Sequence, residues 1–201
     1  MDIKKNQKAE NSKKAILDAA RVLVREKGFP KTSIRDICKA AGLSIGAFYH
    51  HYPSKDAMMN EAFLYFDKTL LEDGAKKYAA LPPVEALKAV LLDQSAFTAN
   101  EGYQVITEYY RALLQNETRG AISPERLYYK AVHAQVERAQ AAGALKDTVP
   151  AGELGELLIK FVRGNLVDWC LHNGDYDAPK RTARELDLVL NAFLTNAYIC
   201  D

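Results

Sequence analysis

The segment LSIGAFYHHYPSKD, from Leu43 to Asp56, concentrates side chains that can bind the phosphates or bases of a nucleic acid. Its serine, tyrosine and histidine groups donate or accept hydrogen bonds, and its lysine adds a positive charge. Gly46 and Ala47 leave the front of the segment without bulk, so that the backbone and a groove can approach closely. Four other residues follow the spacing of one helix face, which by itself would bury them all: Ile45, Phe48, Tyr49 and Tyr52. Spacing alone therefore leaves open which of the four face a ligand.

Two short helices joined by a glycine turn position these side chains. The first begins at Thr32 or Ser33, both good N-caps, and its apolar residues repeat with a helical period until Gly42. Glycine suits this turn because a tight reversal needs a positive φ. Ser44 caps the next helix, which must end before Pro53 because the residue before a proline disfavours helical angles. The pattern predicts a helix-turn-helix, whose second helix enters the major groove of DNA.

The other segments also have helical spacing, and none has a convincing period of two. An apolar stripe before Gly28 predicts a first helix, and Ser54 caps a fourth. After a break at residues 81–83, five more helices are predicted at about 83–99, 103–117, 124–142, 151–173 and 179–199. The sequence therefore predicts an all-α protein of about nine helices, with a helix-turn-helix part and a larger helical body.

Positive charge is concentrated towards the N-terminus. Residues 1–56 carry a net charge of +6 and the rest of the 201 residues a net charge of −5, which leaves +1 for the chain. This asymmetry indicates an anionic partner at one end, with ordinary surface variation as the alternative. Lysines ahead of and at the start of the first helix form a basic arm, which either follows DNA phosphates or the minor groove or is a solvated tail: Lys4, Lys5, Lys8, Lys13 and Lys14.

Other kinds of chemistry find little support in the sequence. Cys38, Cys170 and Cys200 lack the spacing of a zinc site or of a disulfide framework. There is no P-loop, no Gly-x-Ser-x-Gly and no His-Glu-x-x-His pattern, so we expect no enzyme activity, no metal and no cofactor. The first residues lack the apolar core of a signal peptide, and no apolar run is long enough to span a bilayer. We therefore expect a cytoplasmic protein without a membrane partner.

Residues 32–56 resemble the DNA-binding region of the TetR family of bacterial transcriptional regulators. The family pattern consists of a threonine, Asp-Ile, Ala-Gly, Ser-x-Gly, a Tyr-x-His-aromatic run and a lysine. This chain matches it at Thr32, Asp36, Ile37, Ala41, Gly42, Ser44, Gly46, Tyr49, His51, Tyr52 and Lys55. The layout of helices extends the resemblance to the whole chain. Cys38 stands where the family usually has a small residue such as alanine, and we interpret its thiol as a packing group rather than a redox switch.

The resemblance implies a DNA-binding domain over residues 1–56, with the basic arm over 1–10, and a helical effector-binding and dimerisation domain over 57–201. It places Phe48 and Tyr52 in the small core together with Ile34, Ile37 and Leu43. The expected DNA contacts are Thr32, Ser33, Ser44, Ile45, Gly46, Tyr49, His50, His51 and Lys55. Of these, Thr32 and Lys55 are expected on phosphates.

A single helix-turn-helix reads too few base pairs to be selective, so we expect a homodimer on a two-fold symmetric operator in double-stranded DNA. The last two predicted helices are apolar on more than one face, which favours them as the dimer interface over a broad core within one monomer.

The resemblance further implies a small-molecule pocket in the body. Its candidate lining residues, each of which could equally be core, are Phe97, Tyr103, Tyr109, Tyr110, Tyr129, His133, Phe161, Asn165 and Trp169. The imidazole of His133 and the amide of Asn165 would either orient a ligand or bond to a neighbouring carbonyl.

These observations together predict a ligand-responsive transcriptional regulator. We expect a repressor that leaves a palindromic operator when a small hydrophobic or aromatic effector binds. One alternative is an activator or accessory protein whose body binds another protein. Another is a helical enzyme or lipid carrier with an incidental helix-turn-helix, which conflicts with the positive charge of the N-terminal quarter.

Overall fold

The computed structural model describes the backbone of residues 2–115 and 122–196, and within these ranges every side chain except those of residues 2–6, 60, 62–66, 69, 70 and 73. The described backbone forms nine α-helices, and its one extended pairing is an isolated bridge between Leu145 and Leu194. The helices are α1 Asp2–Lys27, α2 Ile34–Ala41, α3 Ile45–His51, α4 Lys55–Ala80, α5 Pro83–Asn100, α6 Tyr103–Gln115, α7 Leu127–Ala141, α8 Ala151–Leu171 and α9 Ala178–Asn191. The predicted all-α fold is confirmed.

The chain divides into two compact units. The first, Met1–Phe63 with Glu101–Thr118, contains α1, α2, α3, the start of α4 and α6. The apolar stripe of α1 is buried in it, because α1 packs against α2, α3 and α6. Arg21 of α1 forms an ion pair with the buried carboxylate of Glu101, just before α6. The core side chains of this unit include Ile16, Leu17, Val24, Ile37, Phe48, Tyr52 and Met58.

Local chemistry positions the helix-turn-helix within the first unit. Ser33 is the N-cap of α2, where its side-chain oxygen accepts the Asp36 N–H at 3.1 Å and the Asp36 carboxylate accepts the Ser33 N–H at 3.0 Å. This reciprocal pair is a capping box. Gly42 ends α2 with a φ of 67°, which a residue with a side chain rarely adopts. Ser44 then caps α3 by accepting the Ala47 N–H at 3.1 Å, so the predicted caps and the turn are confirmed.

The second unit, Leu64–Asn100 with Arg119–Asp201, contains the rest of α4 together with α5, α7, α8 and α9. Helix α5 is central, because it contacts α7, α8 and α9. It is buried on several sides, at Val84, Ala86, Leu87, Val90, Leu91, Gln94, Ser95 and Thr98. Each fully buried aliphatic side chain contributes about 1.5–3 kcal/mol, so these contacts between helices hold the unit together.

Two helix ends differ from the prediction. Helix α1 begins at Asp2, so the backbone of the predicted arm is helical from that residue, which a run without glycine or proline up to Lys27 permits. Helix α9 ends at Asn191 rather than near residue 199. The chain after it turns back, and the Phe193 carbonyl accepts the Lys146 N–H at 2.8 Å. Cys200, named above, lies outside the described ranges, as does the predicted helix end near residue 199.

The remaining boundaries also shift. Helix α7 begins at Leu127 and not at residue 124, because the Ser123 hydroxyl caps only a short turn by accepting the Glu125 N–H at 3.2 Å. The two compact units divide within α4, between residues 63 and 64, and α6 belongs to the first unit. The functional boundary predicted between residues 56 and 57 stays a prediction.

Candidate functional site

Helix α3 has one buried side and one exposed side. Phe48 and Tyr52 are essentially inaccessible, and their rings lie 5.7 Å apart. Tyr49 is 55% exposed and Ile45 is 41% exposed. The four residues that share a helical spacing are therefore divided between the core and the surface, and the predicted burial of Phe48 and Tyr52 is confirmed. The two exposed side chains are free to face DNA.

The exposed side of α3 begins at its N-terminus. Ser44 is exposed, although its oxygen already accepts the Ala47 N–H. Gly46 is exposed as well, and a Cβ added there would lie 3.7 Å from the Ser44 oxygen, which is ordinary contact. Packing within the first unit therefore does not require a glycine at position 46. The missing side chain leaves the front of α3 open for close approach of another molecule.

The two histidines at the end of α3 differ in environment. The ring of His50 is exposed, whereas that of His51 is half-buried, and the two ring centres lie 5.2 Å apart. Burial lowers the pKa of His51, and the nearby charges of His50 and Lys13 lower it further. His51 is therefore neutral at pH 7, so it can contact DNA as a hydrogen-bonding group rather than as a cation. His50 is the more accessible of the two.

Two predicted phosphate contacts point inward. Thr32 is fully buried, and its hydroxyl donates to the Gly28 carbonyl at 2.9 Å. Its side chain supports the loop before α2, so the expected phosphate contact by this side chain does not fit the structure. The Lys55 ammonium donates to the carbonyls of Phe29 at 2.7 Å and of Thr32 at 2.9 Å. A phosphate could use only its third N–H.

Charged groups of α2 extend the exposed surface. Ser33 is exposed, but its hydroxyl donates a hydrogen bond to the Asp36 carboxylate. The Lys27 ammonium donates to the same carboxylate, with Nζ 2.8 Å from Oδ2. These hydrogen bonds from Lys27 and Ser33 hold the pKa of Asp36 far below its ordinary value of 3.8. Arg35 and Lys39 are also exposed, and they lie four residues apart on one side of α2. The sequence reasoning missed these two cations, although their spacing was visible in it.

The predicted effector-lining residues are divided between the two units. Tyr103, Tyr109 and Tyr110 belong to α6 in the first unit. The others belong to the second unit, where Tyr129 and Trp169 are buried and the rest are half-buried: Phe97, His133, Phe161 and Asn165. The prediction that all of them line one pocket remains a prediction.

Within the second unit, the polar groups of this set differ in how they are satisfied. The Trp169 indole N–H donates to the Tyr176 carbonyl at 2.9 Å, and the Asn165 amide donates to the Glu185 carboxylate at 3.1 Å. Both groups therefore hold α8 to the chain after it. The buried Nε2 of His133 instead has no hydrogen-bond partner within the described part of the chain.

The fold and the exposed side of α3 define a class of protein, the helix-turn-helix DNA-binding regulators with a helical second unit. Residues 16–62 match the family model of the bacterial regulatory proteins of the tetR family. The helix-turn-helix region of the chain is therefore that of a TetR-family DNA-binding transcriptional regulator.

Similarity extends beyond the helix-turn-helix. The transcriptional repressor KstR2 of Rhodococcus jostii is 27% identical over 184 residues, which cover 88% of this chain and 88% of that protein. The repressor Rv1474c of Mycobacterium tuberculosis is 29% identical over 183 residues, which cover 90% and 91%. The crystal structure of the Thermus thermophilus TetR family repressor FadR with lauroyl-CoA has a TM-score of 0.72 at 22% identity, over 92% of this chain and 96% of that chain. This structural likeness shows a shared fold.

The described part of the chain shows neither a membrane-spanning helix nor a cluster of metal ligands. In residues 2–115 and 122–196, no helix is both long and apolar enough to cross a bilayer. Among the side chains that the structure describes, no three His, Cys, Asp or Glu residues are grouped so that they could hold a metal ion. Cys38 is buried, which raises the pKa of its thiol and makes it a poor nucleophile.

Proposed function

We propose that this regulator represses transcription by binding a two-fold symmetric operator as a homodimer, and that a small effector bound in the second unit releases it. The observation that carries the proposal is the exposed side of α3, where Ser44, Ile45, Gly46, Tyr49 and His50 stand opposite the buried Phe48 and Tyr52. A recognition helix needs this division, because one side must fix the helix while the other enters a groove. The similar proteins KstR2 and Rv1474c are named as repressors, which supports repression rather than activation.

The DNA contacts fall into two kinds. Ile45, Tyr49 and His50 are the candidates for base edges, since they lie on the exposed side of the recognition helix. Ser33, Ser44 and His51 are candidates for phosphates, and the exposed Arg35 and Lys39 are added to them. The Lys55 ammonium already donates two hydrogen bonds to the loop before α2, so a phosphate could accept only from its third N–H. Because the target is chromosomal DNA, the proposal also implies a cytoplasmic location.

Dimerisation is proposed through α8 and α9. Leu157, Gly164 and Leu171 are exposed on α8 and repeat every seven residues, which is the spacing of one helix face. A Cβ added at Gly164 would meet no atom of the described chain within 4 Å, so a second helix could approach closely there. On α9, Leu188 is 68% exposed. Exposed leucines at these positions support a bundle made of two helices from each subunit.

A small hydrophobic or aromatic effector is proposed for the second unit. Its candidate contacts within that unit are Phe97, Tyr129, His133, Phe161, Asn165 and Trp169. The complex of Thermus FadR with lauroyl-CoA supports the idea that this fold can hold an apolar chain. His133 is the polar contact that we favour, since its buried Nε2 lacks a partner among the described residues.

A reporter assay tests the sign of regulation. The promoter next to the coding region drives a reporter, with and without the chain. We expect wild type to lower expression and Tyr49→Ala to restore it, because the exposed ring is removed while the core of α3 stays intact. Leu114→Ala, which changes an exposed side chain of α6, is the matched control and should repress like wild type. Higher expression in the presence of the chain would contradict repression and favour an activator.

A further inference from the structure

The composition of α3 limits how it can identify a base. The helix reads IGAFYHH and contains no arginine, lysine, asparagine, glutamine, aspartate or glutamate. These are the side chains that form the specific hydrogen bonds with guanine, adenine or cytosine in the major groove. The bidentate contacts that most often select guanine or adenine are therefore unavailable on this recognition helix.

The hydrogen-bonding groups that α3 does present leave the base undetermined. The oxygen of Ser44 is held by the cap, where it accepts the Ala47 N–H at 3.1 Å. The hydroxyl of the exposed Tyr49 can donate or accept, and an imidazole such as that of His50 can donate and, in its neutral form, accept. Every base edge in the major groove carries a donor or an acceptor, so these groups alone select no single base.

Ile45 is the apolar group at the front of α3. It is the first residue of the helix and is 41% exposed, whereas Phe48 three residues later is inaccessible. The N-terminal residues of a recognition helix are those that contact base edges. An isoleucine side chain has no donor or acceptor, so it can recognise only an apolar feature there. Among the four unmodified bases, thymine alone has such a feature in the major groove, its 5-methyl group.

The surface around Ile45 allows this side chain to approach a base pair closely. Gly46 is exposed and has no side chain, Ala47 adds one half-buried methyl, and Phe48 is buried. Ile45 and Tyr49 therefore protrude from α3, and residues four apart are neighbours on a helix surface. A methyl group packed against Ile45 at about 4 Å would lie beside the Tyr49 ring, which would shield the contact from water.

We propose that Ile45 determines operator specificity by packing against the 5-methyl group of a thymine in each half-site. This inference rests on the proposed function of α3 as the recognition helix of a homodimer. Burial of one methyl group contributes a factor of about three to five in affinity. The two half-sites of a symmetric operator contain the contact twice, so both methyl groups together contribute about tenfold to twenty-fivefold.

Replacement of thymine by deoxyuridine tests the contact, because it removes the methyl group and keeps the base pair. The operator is first found by selecting tight binders of the full chain from random double-stranded DNA. Each thymine of the half-sites is then replaced by deoxyuridine at both symmetry-related positions, and the dissociation constant is measured by fluorescence anisotropy. We expect the replacement at one position of each half-site to weaken wild-type binding about tenfold or more.

Variants assign that loss to Ile45. Ile45→Ala should bind the thymine and the deoxyuridine operators with dissociation constants within about twofold of each other, because the methyl group has lost its partner. Ile45→Val should show an intermediate ratio. Arg35→Ala is the matched control, since it removes an exposed cation of α2, weakens both complexes and should keep the wild-type ratio. Low salt keeps the weaker complexes within range, because phosphate contacts strengthen there.

Each outcome decides. A sensitive position whose ratio falls towards one in Ile45→Ala supports the proposal, and if Ile45→Ala no longer binds at low salt, a reduced ratio in Ile45→Val does so. An operator with no sensitive position, or a wild-type ratio in every Ile45 variant that binds, contradicts recognition of a thymine methyl group by Ile45. Both of these results leave DNA binding by α3 intact. If wild type enriches no sequence from random DNA, the proposed function itself fails and this inference with it.

Discussion

Tyr49 and Tyr52 are three residues apart at the end of α3, and they occupy opposite environments. Helical periodicity assigned both to one face, and only the resemblance to known regulators separated them. The physical reason is that a helix of seven residues packs against α1 and α2 along one narrow side. Phe48 and Tyr52 fill that contact, so Tyr49 has no core to enter. Side-chain roles on so short a helix depend on its neighbours.

The buried hydroxyl of Tyr52 leads to the first prediction. It has no hydrogen-bond partner among the described residues, and burial raises its pKa. We expect Tyr52→Phe to raise the free energy of unfolding by about 1 kcal/mol, because the unpaired hydroxyl no longer has to be buried. Urea denaturation measures this, with Tyr49→Phe as the exposed control. A clear loss of stability in Tyr52→Phe would show that the hydroxyl is paired in solution.

The capping box of α2 leads to the second prediction, which concerns pH. Hydrogen bonds from Lys27 and Ser33 lower the pKa of Asp36 in the folded chain below its ordinary value of 3.8. A carboxylate whose pKa is lowered by folding stabilises the folded chain at pH values above the pKa of the unfolded state. This contribution is lost as the pH falls from that pKa towards the lower pKa of the folded state. The melting temperature of Asp36→Asn should therefore lie below that of wild type at pH 6, and the gap should narrow by pH 3. A gap that does not change with pH would contradict this account.

At the scale of elements, caps and turns could be predicted while some helix ends could not. Ser33, Gly42 and Ser44 act through neighbours three or four residues away, which the sequence displays directly. The end of α9 at Asn191 depends instead on pairing with residues 144–146, some 47 positions earlier, as in the 2.8 Å hydrogen bond from Lys146 to Phe193. The inward direction of Lys55 likewise depends on carbonyls of the loop before α2. Contacts that are distant along the chain are not visible as local patterns.

The third prediction concerns two glycines of α8. A Cβ added at Gly155 would lie 2.3 Å from Cδ2 of His133 on α7, whereas one added at Gly152 would meet no described atom within 4 Å. Alanine is the better helix former, so we expect Gly152→Ala to raise the free energy of unfolding by about 0.5–1 kcal/mol. Gly155→Ala should lower it by about 1–3 kcal/mol, because α7 and α8 must move apart. Equal effects in denaturant unfolding would contradict this packing.

At the scale of the whole molecule, the sequence indicated which end of the chain binds DNA, but it did not reveal every residue that holds the structure together. The charge asymmetry and the helix-turn-helix pattern placed DNA binding at the N-terminal end. The buried ion pair between Asp67 and Arg126 joins residues 59 positions apart, and neither position has a motif that marks it. The exposed side of α8 was visible as an excess of apolar residues, although its heptad of Leu157, Gly164 and Leu171 became clear only from exposure.

The fourth prediction concerns assembly. We expect Leu157→Glu and Leu188→Glu to shift the chain from dimer to monomer, because each places a charge on an exposed apolar side of α8 or α9. Leu114→Glu changes a leucine of α6 that is 90% exposed and should leave the dimer unchanged. Analytical ultracentrifugation at several protein concentrations measures the shift. If all three variants stay dimeric, the interface lies elsewhere.

The most direct test of the regulator account is the binding of the purified chain to the DNA upstream of its own coding region, measured by fluorescence anisotropy over a series of salt concentrations. We predict tight binding relative to scrambled DNA, a steep fall in affinity with salt, and loss of the sequence preference in Tyr49→Ala. Arg35→Ala should weaken binding to both DNAs alike and reduce the salt dependence, as a phosphate contact does. Equal binding of wild type to both DNAs at every salt concentration, unchanged in Tyr49→Ala, would contradict the assignment of α3 as the helix that reads this DNA.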